Sequence, residues 1–366
     1  MKPKTSIEGL AVYQPGKNPE DVMEELGLKH IIKLSSNENP YGCSSQVFTA
    51  LQDMKDQFHL YPDGASLKLK EKLAEHLEVD SRRLIVGNGS DEIIQMVCRA
   101  YLEPGAEAVI ADLSFSRYET GIQIEGATPI KVPLKEGTHD LEAMLQAITD
   151  QTRIVFVCNP NNPTGTIVRE SELSAFLDQI PEHVLVVLDE AYYEYVMDSS
   201  YPDSISLLDY NPQILILRTF SKIYGLASLR VGYGITHPEV IESLERVREP
   251  FNVNALGQAA AIAALEDQSF VTYCRYQNRR GIEKITNKLE ELGLKYFPAH
   301  GNFIFFDTGI PAEEAFQFLL HRGLIIRAGF GETVLRATVG KEDENQQLVE
   351  ALEALIKSKR GLASNA

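Results

Sequence analysis

Arg218-Thr219-Phe220-Ser221-Lys222-Ile223-Tyr224-Gly225-Leu226-Ala227-Ser228-Leu229-Arg230-Val231-Gly232 follows directly on the apolar run Ile214-Leu215-Ile216-Leu217. The run reads as a buried strand, and its carboxyl end delivers two hydroxyls (219, 221), one lysine (222) and one arginine (230) into a short loop. Burial disfavours the charged form of a lysine, and a neutral amine is an imine-forming nucleophile. Thr219, Ser221 and Arg230 offer hydroxyl and guanidinium donors of the kind that hold a phosphate. A lysine beside a phosphate cup points to pyridoxal 5'-phosphate held as a Schiff base. Ser-Lys after a strand is also common turn chemistry, so the other parts of such a site have to come from elsewhere in the chain.

Outward from this loop, apolar β-branched runs alternate with helical patterns: Leu84–Gly87, Ala108–Ala111, Pro129–Val132, Arg153–Cys158, Val184–Leu188, Ile214–Leu217 and Arg230–Ile235. Such alternation predicts an α/β fold, a mostly parallel seven-stranded sheet with helices on both faces. The lysine loop is too short to carry a crossover helix, so Arg230–Ile235 is expected antiparallel to its predecessor. Beyond residue 250 the pattern becomes helical over Ala255–Leu265 and Ser269–Leu292. A smaller α+β domain follows, with strands near Tyr296-Phe297, Asn302–Phe306, Leu324–Arg327 and Val334–Ala337, a helix over Glu344–Lys357 and a frayed tail. The expected division is an N-terminal arm over 1–33 that packs with the small domain or a partner subunit, a large cofactor-binding domain over 34–250 and a small domain over 251–366.

A chain of 366 residues with a formal net charge of −17 is a poor partner for nucleic acid or an anionic membrane. Arginines that converge are informative against that field, because an anion has to be captured locally. The four cysteines are scattered with no Cys-x-x-Cys pair, which predicts reduced thiols and neither a disulfide frame nor a metal site. The first residues lack the apolar core of a signal peptide, and no run approaches a membrane span, so a cytoplasmic location is expected.

The other candidates stand at the carboxyl ends of the expected strands, where open α/β sheets bind ligands. Gly87-Asn88-Gly89-Ser90-Asp91-Glu92 opens a helix whose first N–H groups suit a phosphate, although Ser90 or Asp91 also suits plain N-capping. Glu92 stands where a dinucleotide fingerprint needs its third glycine. Asp189 ends an apolar run, and a buried carboxylate calls for a cation or several donors; a protonated pyridine nitrogen is one such cation, helix capping another use. Tyr192 is within reach of the same ligand's phenolic oxygen. In Asn159-Pro160-Asn161-Asn162-Pro163-Thr164-Gly165 two prolines stiffen the loop that presents Asn162 as a donor. Phe115 is placed to stack on a pyridine ring or to fill core.

Asn162-Pro163-Thr164-Gly165, Asp189 with Tyr192, and Ser221-Lys222 with Arg230 resemble, in order and spacing, the pyridoxal-phosphate aminotransferases of fold type I. Within them the chain is similar to the histidinol-phosphate aminotransferase family. The similarity lies in Tyr13-Gln14-Pro15-Gly16, Leu34-Ser35-Ser36-Asn37-Glu38-Asn39-Pro40-Tyr41-Gly42, Tyr61-Pro62-Asp63, Gly87-Asn88-Gly89-Ser90-Asp91-Glu92 and Leu335-Arg336-Ala337-Thr338-Val339-Gly340. The chain departs from that pattern at Cys43, where relatives commonly carry proline, and at Ala337 and Thr338.

The resemblance implies that Lys222 carries the cofactor and shuttles the substrate's α-proton. Asp189 then pairs with the pyridine nitrogen, while Asn162 and Tyr192 hold the phenolic oxygen. The phosphate rests on Ser90, Asp91, Thr219, Ser221 and Arg230, with Tyr61 added from the second subunit of a homodimer. Arg336 binds the α-carboxylate of glutamate, and Arg327, Tyr13 and Asn37 help to hold substrate. The implied reaction moves the amino group of L-histidinol phosphate to 2-oxoglutarate, giving imidazole-acetol phosphate and glutamate. Aromatic amino-acid transamination and decarboxylation of threonine phosphate use the same scaffold. A ligand-sensing regulator of this fold is disfavoured, since the chain has neither length nor basic charge for an added DNA-binding module.

Overall fold

The computed structural model describes residues 2–10, 12, 17–211 and 213–363, with side chains through Lys359. The strands among them are β1 (Ile32–Lys33), β2 (Leu84–Gly87), β3 (Glu107–Ala111), β4 (Thr128–Val132), β5 (Thr152–Cys158) and β6 (Leu185–Asp189). They continue with β7 (Ile214–Thr219), β8 (Gly232–Thr236), β9 (Lys295–Tyr296), β10 (Phe303–Asp307), β11 (Leu324–Ile325) and β12 (Val334–Thr338). Seven of them form one sheet in the order β2-β8-β7-β6-β5-β3-β4, parallel throughout except for β8, which runs antiparallel to both neighbours. The expected sheet is therefore present, including its single reversed strand.

The apolar runs are continuous because both faces of the sheet are covered. Val155, Val157, Val186, Leu188, Ile214 and Ile216 point into one core. Their alternating neighbours Ile154, Phe156, Leu185, Val187, Leu215 and Leu217 point into the other. β8 begins at Gly232, two residues later than the sequence suggests. Arg230 is not extended there; it takes a left-handed φ of 53° after the short 3-10 turn Ala227–Leu229.

The small lobe holds the antiparallel sheet β12-β10-β9 and the parallel pair β1-β11. β1 belongs to the N-terminal segment, and Val22 packs on Leu320 and Ile325, so this segment covers the small lobe. It is not wholly extended: Pro19–Leu26 is a helix, entered by proline at its first position and closed by Gly27 at φ 64°. Residues 13–16, and with them Tyr13, lie outside the described residues. The C-terminal helix runs over Glu342–Ala363, beyond the expected end at 357.

The cores also bear on the division of the chain. Val253, Ala260, Ala261 and Leu265 lie in a large-lobe core, beyond the expected boundary at 250. The 25-residue helix Gln268–Leu292 places Val271 and Cys274 in that core and Ile285, Leu289 and Leu292 in the core of the small lobe. We infer that the domains meet within this helix: between its two apolar stretches the buried positions are Asn278 and Gly281, and Asn278 Nδ2 donates to the Gly301 carbonyl at 3.0 Å.

Candidate active site

A cavity of about 880 Å³ opens where the carboxyl ends of β2, β3, β5, β6 and β7 face β12. Lys222 stands in its wall on the loop between β7 and β8. The cavity lies between the lobes, so Lys222 retains some exposure to it while being walled in by protein on its other sides. Burial, reinforced by the charge of Arg336, lowers the ammonium's pKa to about 8. The neutral form is then a minority near pH 7, roughly one part in ten, but far more than an ordinary lysine holds.

The loop keeps its shape through a close approach. Gly225 has φ 71°, and a Cβ there would fall 1.8 Å from the carbonyl oxygen of Gly42. Asn39 Nδ2 donates to the Ile223 carbonyl at 2.7 Å, tying the 35–42 loop to the lysine loop.

Asp189 ends β6 and is buried. Its Oδ2 accepts from the Tyr118 hydroxyl at 2.7 Å and its Oδ1 from the Ala191 N–H at 3.1 Å. Burial outweighs these donors and raises its pKa to about 6. Tyr118 is itself fixed by stacking on Phe156, with ring centroids 4.6 Å apart. Phe115 lines the cavity above and meets Tyr118 edge-on at 5.6 Å.

The expected anion cup is assembled from three segments. Ser90 opens the helix Ser90–Tyr101, whose first N–H groups lack intrahelical partners, and Asp91 follows it. Arg230 Nη1 donates to Ser221 Oγ at 3.1 Å, and its Nη2 lies 3.8 Å from the Asp91 carboxylate, a half-exposed pair. Thr219 Oγ1 accepts from the Ser221 N–H at 3.1 Å. A side chain at Gly89 would fall 2.3 Å from Arg230 Nη2, so only glycine lets the guanidinium approach the helix.

The opposite wall comes from the small lobe. Arg327 and Arg336 face each other in an isolated antiparallel bridge, with N–H to carbonyl distances of 2.9 and 2.8 Å, and both line the cavity. Directly opposed residues project to one side of a sheet, which explains how two arginines nine apart converge. Arg336 also donates to the Ser35 carbonyl at 2.7 Å and to Asn162 Oδ1 at 2.6 Å. With its oxygen so engaged, Asn162 keeps its amide N–H groups as donors for a ligand. Asn37 Nδ2 donates to the Tyr192 hydroxyl at 2.9 Å.

One expected residue among those described does not line the cavity of its own chain. Tyr61 is 83% exposed and stacks on Phe251 at 4.6 Å, away from the lining. Tyr13 is not among the described residues. Sequence reasoning missed Tyr118, whose one signal was its place three residues after Phe115, on the same side of a helical turn. No group of three side chains suited to a metal occurs among the described residues, nor does any helix there long and apolar enough to cross a membrane.

Residues 29–352 match the family model of the class I and II aminotransferases. The chain belongs to this family. The aminotransferase is 51% identical over 363 residues to histidinol-phosphate aminotransferase of Geobacillus sp. (strain WCH70), covering 98% of this chain and 100% of the relative. It is 48% identical over 360 residues to the enzyme of the same name from Bacillus subtilis (strain 168), covering 97% and 100%. Among solved structures it is similar to histidinol-phosphate aminotransferase from Sinorhizobium meliloti in complex with pyridoxal-5'-phosphate, with a TM-score of 0.89, 29% identity and 97% of each chain covered.

Proposed function

We propose that this aminotransferase binds pyridoxal 5'-phosphate at Lys222 and exchanges the amino group between L-histidinol phosphate and 2-oxoglutarate, a step of histidine biosynthesis. The observation that carries the substrate reading is the opposed pair Arg327 and Arg336 across the cavity from Lys222. The reaction needs one pocket for a phosphomonoester and, in the other half-reaction, for a dicarboxylate. Guanidinium forks suit both anions. The names of the relatives support the same choice.

The residues present fit the cofactor. Asp189 has donors but no ion-pair partner among the described residues, Lys222 gives up its proton more easily than an ordinary lysine, and Ser90, Thr219, Ser221 and Arg230 gather donors at one end of the cavity. Bound there, the cofactor supplies an electron sink for the pair left behind when the substrate's α-C–H bond breaks. Asp189 offers the carboxylate that keeps the pyridine nitrogen protonated. Lys222, with its lowered pKa, takes the α-proton as its free amine and returns it as ammonium. Phe115 supplies an aromatic face, while Asn162 and Tyr192 aim donors at the phenolic oxygen. Arg336 takes the α-carboxylate of glutamate, and Arg327, Asn37 and Tyr13 serve the far end of the substrate.

The same reading makes the enzyme a cytoplasmic homodimer, to which the four unpaired cysteines and the exposed Phe48, Phe58, Tyr61 and Phe251 lend support. Tyr61 then completes the phosphate cup of the second copy.

The test is kcat/KM for histidinol phosphate, phenylalanine and tyrosine in the wild type and in Arg327→Ala, after borohydride reduction has located the cofactor. Histidinol phosphate is expected to lead, and Arg327→Ala to lower its kcat/KM by at least about tenfold, the worth of one charge-assisted contact. Preference for phenylalanine, or an Arg327→Ala enzyme with unchanged histidinol phosphate kinetics, overturns the substrate. An adduct on another lysine overturns Lys222.

A further inference from the structure

We infer that Thr338 is a positioning residue for this reaction: through Asn37 it fixes the direction in which Tyr192 gives its hydroxyl proton. The inference rests on the cofactor reading above. Its basis is a chain of three hydrogen bonds among buried groups, running from the small lobe to the large one. Thr338 follows Arg336 by two residues on β12, the 35–42 loop supplies Asn37, and Tyr192 sits in the turn after β6.

The directions follow from counting protons. Thr338 Oγ1 accepts from the Asn37 backbone N–H at 2.9 Å, a bond that cannot run the other way. The single proton of the threonine hydroxyl is then available to Asn37 Oδ1, 3.2 Å away. Turned over, the amide would give Thr338 Oγ1 a second donor and leave the buried threonine proton without an acceptor among the described residues, so the oxygen is assigned towards Thr338 and Nδ2 towards Tyr192. Tyr192 therefore accepts from Asn37 at 2.9 Å and keeps its own proton to give. No described residue accepts that proton, and Tyr192 lines the cavity, so the proton is directed at the occupant. Burial raises the phenol's pKa, which keeps the proton in place across the working range.

Asn37 is also well chosen for its backbone. It has φ 55°, in the left-handed region that asparagine tolerates better than most residues, so one residue meets both the turn and the amide requirement. Without the Thr338 hydroxyl, Oδ1 has no donor and the amide is free to turn over. Its oxygen would then draw the Tyr192 proton away and leave a lone pair facing the cavity. Towards the ionised phenolic oxygen of pyridoxal phosphate a proton attracts and a lone pair repels.

The colour of the bound cofactor reports this directly. A donor to the phenolic oxygen weakens that oxygen's hold on the proton it shares with the lysine-linked nitrogen, so losing the donor moves the spectral titration to higher pH. The experiment is a spectrophotometric pH titration of the near-visible band of holoenzyme, with cofactor content measured alongside. Thr338→Val is expected to keep the cofactor and to raise the midpoint by about one pH unit, the scale of one hydrogen bond. Thr338→Ser should restore the wild-type midpoint, because it keeps the hydroxyl and drops only the methyl. Thr338→Ala, which asks for no added bulk, replaces the valine variant if that one does not fold, with the same expected shift. A wild-type midpoint in the valine or alanine variant overturns the inference, as does a serine variant that shifts as far as they do. A wild-type protein with no near-visible band overturns the cofactor reading instead.

Discussion

Asp189 and Glu190 are adjacent, equally buried carboxylates with opposite fates. Glu190 points away from the cavity and is held by Arg218, whose Nε and Nη2 lie 2.9 and 2.8 Å from its Oε2. Ser204 donates to its other oxygen, and Arg218 lies over the Tyr193 ring at 3.5 Å. Asp189 points into the cavity, and among the described residues its hydrogen-bond donors are the Tyr118 hydroxyl and one backbone N–H. The strand beyond repeats the alternation: Arg218 faces the closed pair, while the next residue, Thr219, lines the cavity. A buried acid whose cation is part of the protein is complete. One with donors but no cation is shaped for a cation that arrives with a ligand.

The comparison can be broken in three ways. The largest effect is expected from Arg218→Met, which strands Glu190 and should lower unfolding stability by about 3–5 kcal/mol. Denaturant titration measures it, and Glu190→Gln combined with Arg218→Met should lose less than Arg218→Met alone. A single variant as stable as wild type would remove the contrast. Next comes Asp189→Asn, which should retain cofactor yet lose turnover by roughly a hundredfold, the consequence of cutting a charge from a buried pair. Near-normal kcat would make Asp189 a cap like any other.

The third effect is one of pH. The pKa of Asp189 in the folded, cofactor-free protein is raised from 3.8 to about 6, so the native state holds a proton that the unfolded chain has released. Its stability contribution is therefore full below pH ~4 and is lost as pH rises towards ~6. Cofactor-free Asp189→Asn should accordingly be more stable than wild type by on the order of 2 kcal/mol at pH 8, with the gap closing on acidification. Thermal melts of the two proteins at pH 8 and pH 4.5 measure it, and a gap independent of pH would assign the burial cost to something other than this carboxyl.

What could be read in advance follows from which interactions are local. Seven strands and the reversed β8 were legible because both-face burial writes itself as unbroken apolar runs, and because the lysine loop is too short to cross over. Lys222, Asp189 and Arg230 were legible as polar residues abutting those runs. Tyr118 was not, since it meets Asp189 across 71 residues of sequence and looks like any core aromatic. The Thr338–Asn37 contact spans 301 residues and was equally hidden. One helix, Gln268–Leu292, enters two cores, and periodicity reports that its residues are apolar and not which core they enter.

The near-contact of Gly225 with the Gly42 carbonyl bears on how such a protein can change over generations. The two loops lie so close that Gly225 accepts no side chain unless the Gly42 backbone withdraws, whereas a Cβ at Gly42 meets nothing within 4 Å. A withdrawn 35–42 loop carries Asn37 and Asn39 with it, and a withdrawn lysine loop carries Lys222. The coupling is one-way: a side chain at 225 forces a shift in the loop that carries Asn37 and Asn39, so change at that one position reaches both walls of the cavity.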